Sequence, residues 1–360
     1  MHIGIDGREL SGHVTGVGRF LQRLLREWTL SASGRSHRYS VYSPDGLIAL
    51  PPDFPGEVVL VPGAGGTRWE QQSLAGAVRR DRPDVFFAPG YSAPLLAGVP
   101  SVVVIHDVSF IAHSEWFSWR EGTRRRLLAL WSAARAARVV TISEFSRQEI
   151  VNHLGVSGDH IDVVYLGVDA VRMRAIEARD ELVLFVGSIF NRRNVPTLLT
   201  AFAQVAGTRP HARLEIVGND RTHPPQNISN LVAASPAAER IRLSPWISDE
   251  ELAALYARAS VFTFLSEYEG MGLTPLEALA AGVPPVVLDT PVARETLGDA
   301  AVFVLDPEPR AVAEAIDALL VPSSEARRAV LAAAPRVLER YRWSDAAAAV
   351  LSTLEEAARS

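Results

Sequence analysis

Short apolar runs rich in β-branched and aromatic residues recur along this chain, each followed by a stretch with helical spacing or a turn. In the first half they are HIGID (2–6), YSVYS (39–43), EVVLV (57–61), DVFFAP (84–89), SVVVIHD (101–107), RVVTIS (138–143) and IDVVYLG (161–167). The second half repeats the scheme with LVLFVGS (182–188), RLEIVG (213–218), RIRLS (240–244), VFTFLS (261–266), PVVLD (285–289) and AVFVLD (301–306). Strands this apolar need cover on both faces, and their alternation with helices implies parallel sheets. The clearest helix runs from Val17 to Trp28, with Phe20, Leu21, Leu24, Leu25 and Trp28 on one face. The chain therefore reads as α/β, with two doubly wound, Rossmann-like parallel-sheet domains in succession.

The strand pattern lapses in VDAVRMRAIEARD, from Val168 to Asp180. This sets expected domains of 1–168 and 169–340. The tail 341–360 contains WSDAAAAVLSTLEEAARS, whose alanines and leucines need a surface. It is expected as a C-terminal helix packing back toward the N-terminal domain.

Composition removes several chemistries. The chain has no cysteine, and all 36 of its basic residues are arginine. Thiol nucleophiles, Cys-zinc sites, Schiff-base lysines and a P-loop lysine are excluded. A net charge of -5 gives no overall drive toward nucleic acid. No apolar run approaches the ~20 residues of a membrane span. MHIGIDGREL reads as a strand start and not a secretion signal, so a cytoplasmic location is expected.

In open parallel sheets, ligands bind beyond the carboxyl ends of the strands, and the chemistry-bearing residues recur there. SEYEGMGLTPLEALAAGVPPVV (266–287) sets Glu269 and Glu277 around a glycine loop with seven residues between them. Locally, Thr274 reads as an N-cap, Pro275 as the first helical residue and Glu277 as the partner in a capping box. On that reading Glu269 is a loop acid that caps nothing. GSIFNRRNVPTLL (187–199) puts Arg192 and Arg193 just before a helix, where guanidinium forks and helix amides suit phosphate. TGVGRF (15–20) is a glycine turn entering a helix; Gly16 and Gly18 are either a place for backbone to meet a ligand or a tight connection. Its third dinucleotide-type glycine is replaced by Leu21, which weighs against a dehydrogenase. His106 emerges at the end of a strand, either to bond a hydroxyl or as a satisfied core histidine. Ser248 and Glu251 form a second capping box. The stretch 114–138 mixes aromatics and arginines on an expected helix, as a solvated face or a membrane-surface contact. No metal-ligand spacing occurs.

With these motifs in order, the chain resembles the family-4 retaining glycosyltransferases, of GT-B fold, over nearly its whole length. DGRELSGHVTGVGRFL, VVIHDVSF, VVTISEFSRQEI, VVYLGVD, FVGSIFNRRNVPTLLTAF, the E-x7-E stretch and LGDAAVFVLDP carry the resemblance. It implies two domains facing across a cleft, with transfer of a hexose, mannose favoured, from a GDP- or UDP-sugar. Configuration would be retained, and neither metal nor cofactor used, the nucleotide-sugar being a substrate. The implied partners are that donor and a glycan, small-molecule or lipid-linked acceptor, with no nucleic acid. Weak association with the inner face of a membrane is compatible with it.

By matching position, His106 and Glu269 would be catalytic. Gly16, Gly18, Arg192, Arg193, Gly270, Met271, Gly272, Leu273, Thr274 and Glu277 would bind the donor, with Glu277 on the ribose. Trp246 and Ile247 would meet the base. Arg193 stands where the family usually has lysine, Met271 where it has phenylalanine, and Pro245 where glycine is frequent. Two alternatives remain open: a same-fold sugar-nucleotide epimerase or hydrolase, and a non-catalytic nucleotide-sugar-binding partner protein.

Overall fold

The computed structural model describes residues 1–359 apart from His13, Thr15, Leu47, Ala49 and 170–179. Thr15 of the glycine turn and most of the expected boundary 168–180 thus lie outside the described residues. Among the described residues thirteen strands form: β1 (His2–Asp6), β2 (Arg38–Ser43), β3 (Gly56–Leu60), β4 (Val85–Ala88), β5 (Ser101–Val104), β6 (Arg138–Thr141), β7 (Ile161–Val163), β8 (Leu182–Val186), β9 (Arg213–Val217), β10 (Ile241–Ser244), β11 (Val261–Phe264), β12 (Pro285–Leu288) and β13 (Val302–Val304). Each apolar run of the sequence becomes a strand.

The first seven strands make one sheet in the order β3-β2-β1-β4-β5-β6-β7, and the other six make a second, β10-β9-β8-β11-β12-β13. Every pairing is parallel. In both sheets the strand order reverses beside the central strand, between β1 and β4 and between β8 and β11. Loops leaving a strand pair at such a point diverge, which opens a crevice at the carboxyl edge.

Two compact units result. One contains Met1–Ala112, Trp119–Gly167 and Tyr341–Ser360; the other contains His113–Ser118 and Val168–Arg340. The expected single helix over 114–138 is divided accordingly. Ser114–Trp116 is a 3-10 turn, and the helix is Trp119–Arg135. Phe117 breaks the run with an extended backbone, φ -128° and ψ 148°. Among the described residues no helix is long and apolar enough to cross a membrane.

The core of the first unit centres on Trp28, which is 1% exposed in the helix Gly16–Leu30. Its indole N–H donates to the Ala347 carbonyl at 2.9 Å, and its ring stacks on Tyr39 with centroids 5.6 Å apart. Ala347 belongs to the helix Trp343–Ala357, which buries Val350, Leu351 and Leu354. Gly167 has no side chain because the start of that helix lies against its Cα. Trp28→Phe should lose the indole bond at a cost of about 1 kcal/mol. Trp28→Ala should cost about 3–5 kcal/mol by adding a cavity. Urea denaturation followed by circular dichroism checks both; equal midpoints for wild type and Trp28→Ala would contradict this account of the core.

Candidate functional site

The crevice of the second unit is built from the loops after β8 and β11. After β8, Gly187 adopts φ +135°, and a Cβ there would overlap the Nη1 of Arg193. Asn191–Arg193 then forms a 3-10 turn, and Asn194 (φ +49°) leads into the helix Val195–Thr208. The Asn194 amide donates to Leu265 O at 3.1 Å and Glu267 Oε1 at 2.9 Å, while the Glu267 N–H donates to Arg192 O at 2.9 Å. These bonds tie the arginine turn to the loop after β11.

Glu269 sits between the arginines. Its Oε1 accepts from Arg193 Nε at 2.9 Å and from Ser266 Oγ at 2.8 Å, with Arg192 Nε 3.7 Å away. Arg193 Nη1 also donates to Ser188 O at 2.8 Å. Burial pushes the Glu269 carboxyl up, but the charges of Arg193 and Arg192 and these hydrogen bonds outweigh it. The group is held below the usual carboxylate range. Glu269 is thus no isolated loop acid; it joins an ion-paired cluster at the switch point.

Arg192 is 8% exposed, yet its Nε has no hydrogen-bond partner. Its guanidinium lies over Phe190 at 4.5 Å and Trp116 at 5.8 Å. Arg193 lies over Phe264 at 4.8 Å. Aromatic faces hold the guanidiniums without occupying all of their in-plane N–H groups.

The capping reading of the next helix is overturned. The helix is Leu273–Ala280, with Gly272 at the N-cap in φ +80° and no side-chain cap. Glycine adopts that left-handed turn without a Cβ penalty, so the helix begins before Thr274 can cap it. Pro275 is the third helical residue and Glu277 lies beyond the capping-box position. Glu277 instead has the Tyr256 hydroxyl at 3.5 Å, the long limit of a hydrogen bond. The Thr274 hydroxyl is buried without a partner. Met271 is 2% exposed, so its side chain packs inward; Gly270 beside it is buried and Gly272 half-buried. Trp246 and Ile247 follow β10 at a different strand end, with Trp246 63% exposed. The capping box of Ser248 and Glu251 is present as read.

In the first unit, Gly16 opens the helix Gly16–Leu30 with free space at its Cα. Gly18 is different: a Cβ there would collide with the Glu9 carbonyl, so packing alone accounts for it. His106 is buried. Its Nε2 donates to the Pro89 carbonyl at 2.9 Å, which fixes the proton on Nε2 and leaves Nδ1 an acceptor. Burial lowers its pKa, against the raising effect of that bond and of Asp107. Phe20 meets the ring edge-on with centroids 5.2 Å apart, joining the glycine turn to the histidine.

Sequence reasoning missed several residues. Ser266 was quoted at the head of its motif without a role. Trp116 and Phe190 lacked any local signal for stacking on a distant arginine. Beside the glycine turn, Arg8 Nε donates to Asp6 Oδ2 at 2.9 Å, Arg8 Nη2 donates to Glu70, and Ser92 Oγ donates to Glu70 Oε1 at 2.7 Å. Burial raises the Asp6 pKa against the pull of Arg8. Two buried carboxylates on one arginine, from separate segments, leave no sequence spacing to read. Among the described residues no three His, Cys, Asp or Glu side chains are grouped to hold a metal.

Known proteins share this architecture. HepE from Anabaena, solved with UDP and glucose, superposes with a TM-score of 0.76 at 17% identity, over 99% of this chain and 100% of that one. WaaG, a glycosyltransferase involved in lipopolysaccharide biosynthesis, gives a TM-score of 0.75 at 16% identity, over 98% and 99%. The MMP α-(1→4)-mannosyltransferase of Mycolicibacterium hassiacum is 27% identical over 274 residues, 73% of this chain and 66% of that protein. O-antigen chain mannosyltransferase B of Escherichia coli is 27% identical over 247 residues, 65% of this chain and 64% of that protein. The chain thus spans about two thirds of the length of these relatives. The Glycosyltransferase Family 4 model matches residues 14–172, and the Glycosyl transferases group 1 model matches residues 171–336. Those consecutive matches, on a fold shared with solved glycosyltransferases, mean that the chain belongs to the family-4, group 1 glycosyltransferases of GT-B fold.

Proposed function

We propose that this chain transfers a hexose from a nucleoside diphosphate sugar to an acceptor hydroxyl, retaining anomeric configuration and using no metal. The observation that carries this reading is the pair Arg192 and Arg193 converging on Glu269 at the carboxyl ends of β8 and β11, with Arg192 Nε making no hydrogen bond. A buried site with two guanidiniums and one carboxylate retains a positive excess. A diphosphate supplies the matching charge.

The parts then divide the work. Arg192, Arg193 and the amides at the start of the helix Leu273–Ala280 receive the diphosphate. Glu269 keeps its second oxygen for hydroxyls of the transferred sugar, and Glu277 takes the ribose. As the bond from the anomeric carbon to the phosphate oxygen breaks, its electron pair goes to the diphosphate, and the guanidiniums stabilise that charge. The acceptor oxygen bonds the anomeric carbon from the same face and passes its proton to the departing phosphate oxygen. Neutral His106, with Nδ1 free to accept, lines the acceptor side. Mannose is the preferred sugar because several relatives are named mannosyltransferases. Both GDP and UDP are candidates for the nucleotide, since HepE was solved with UDP. A glycan or lipid-linked acceptor suits the exposed Trp119, Leu127 and Trp131 on the arginine-bearing helix Trp119–Arg135.

Three measurements test this reading. Arg193→Ala should weaken nucleoside diphosphate binding about 10- to 100-fold in calorimetry, more than Arg192→Ala, because it also strips Glu269 of its closest cationic partner. Unchanged affinity would remove Arg193 from the site. Sugar transfer should survive exhaustive EDTA treatment; complete loss restored by a divalent ion would overturn the metal-free step.

Glu269→Gln should lower turnover and also stability at neutral pH. Because the folded carboxyl lies below its ordinary range, its stabilising contribution is full above the unfolded value of about 4.3 and fades as pH falls through the folded value. The stability gap between wild type and Glu269→Gln should therefore narrow in acid denaturation. A gap that stays constant from neutral to strongly acidic pH would contradict the ion-paired assignment.

A further inference from the structure

One aromatic group in the second unit has no part in the reading above. Residues His113–Ser118 pack in the second unit, although the residues on either side of them belong to the first. His113 and Trp116 stack face to face, with centroids 4.0 Å apart and 14° between planes. Tyr268, 4% exposed and next to Glu269, meets His113 edge-on at 5.1 Å and Trp116 at 6.4 Å. The Arg192 guanidinium in turn lies over the Trp116 ring at 5.8 Å and over the Phe190 ring at 4.5 Å. The turn Ser114–Trp116 is closed by the Trp116 N–H on His113 O at 3.1 Å, and His113 Nδ1 bonds Glu115 Oε1 at 3.1 Å.

We propose that Trp116, backed by His113 and Tyr268, is a positioning residue that holds Arg192 in the orientation in which it receives the donor's diphosphate. The proposal rests on the nucleotide-sugar reading of the site. Its physical basis is the way Arg192 is held. An arginine carries several rotatable bonds, and immobilising it only when ligand arrives would cost affinity. A carboxylate partner would hold it but would use the same in-plane N–H groups that phosphate needs. An aromatic face holds the cation from above and leaves those groups available. Arg193 also lies over an aromatic ring, Phe264, but is hydrogen-bonded to Glu269 and Ser188, whereas Arg192 Nε only approaches Glu269, at 3.7 Å, so aromatic faces carry more of the restraint on Arg192. Trp116 therefore acts through Arg192 and not through Arg193.

The test is calorimetric titration of UDP and GDP into the full chain and its variants. Trp116→Phe, which keeps a ring, should bind the preferred diphosphate within about twofold of wild type. Trp116→Leu, which keeps apolar bulk but no ring, should bind about three- to tenfold more weakly. In an Arg192→Gln background, Trp116→Leu should add no further loss, since the group it positions is gone. Wild-type affinity in Trp116→Leu would overturn the proposal, as would a loss of equal size in both backgrounds. In either case wild-type diphosphate binding leaves the nucleotide-sugar reading standing. Wild-type protein that binds neither UDP nor GDP would bring down that reading and the proposal with it.

Discussion

The reversal of strand order beside the central strand of each sheet is the constraint on which the site depends. β8 lies between β9 and β11, and β1 between β2 and β4. The connections on the two sides of the central strand must lie on opposite faces of the sheet, so the loops at the carboxyl edge part. Glycine is needed where they leave the strand, as at Gly187 with φ +135°. Arginine and glutamate brought to the edges of that gap meet across it, which neither loop could arrange alone. The parallel sheet therefore does more than carry the residues. It fixes the distance over which Arg193 and Glu269 pair.

The electrostatics of the two units then follow from what each crevice encloses. In the second unit, two guanidiniums share one carboxylate, a residual charge of one positive unit. In the first, the carboxyls of Asp6 and Glu70 share Arg8. Buried ion groups of this kind are costly, and hydrophobic replacements of similar volume often stabilise as well or better. An unequal group adds little stability beyond a balanced pair but keeps a preference for one sign of ligand charge. In the second unit that preference is for an anion. The first-unit cluster, beside the glycine turn, fixes the short helical turn Arg8–Leu10 whose Glu9 carbonyl lies against Gly18.

Much of the fold was legible because strands buried on both faces leave contiguous apolar runs, and every such run became a strand. Boundaries were less so. SVVVIHD and IDVVYLG run on past the ends of their strands at Val104 and Val163, because an apolar run does not record where strand pairing stops. Of the site, the arginine turn and the E-x7-E loop were legible from glycine and charge placed before helices. The Thr274 cap was misread since threonine, proline and glutamate fit a capping box equally well when the left-handed Gly272 is not seen. Trp116 and the pairing of Arg193 with Glu269 were illegible for one reason. Each is a contact between segments far apart in the chain, and local pattern carries no record of such distances. Ser266 bonds Glu269 only three residues on, but a serine in a loop gives no local sign of its partner.

The absence of lysine finally bears on how this site can work. The resemblance to family-4 enzymes leads one to expect lysine at position 193, a single ammonium whose hydrogens diverge from one atom. Arginine spreads its donors along a planar fork. Here Nε is committed to Glu269 and Nη1 to Ser188 O, at 2.9 and 2.8 Å. One residue thus anchors the Glu269 carboxylate, closes the turn after β8 and still presents the remaining edge of the fork. A lysine of this reach would have to choose among those partners with one nitrogen. A chain whose basic residues are all arginine can therefore bind its carboxylate before the ligand arrives and keep donors in reserve. Arg192 carries that logic further, with its charge restrained by aromatic faces and its Nε making no hydrogen bond. Pre-organisation of the cation pair, rather than charge alone, is what the substitution adds.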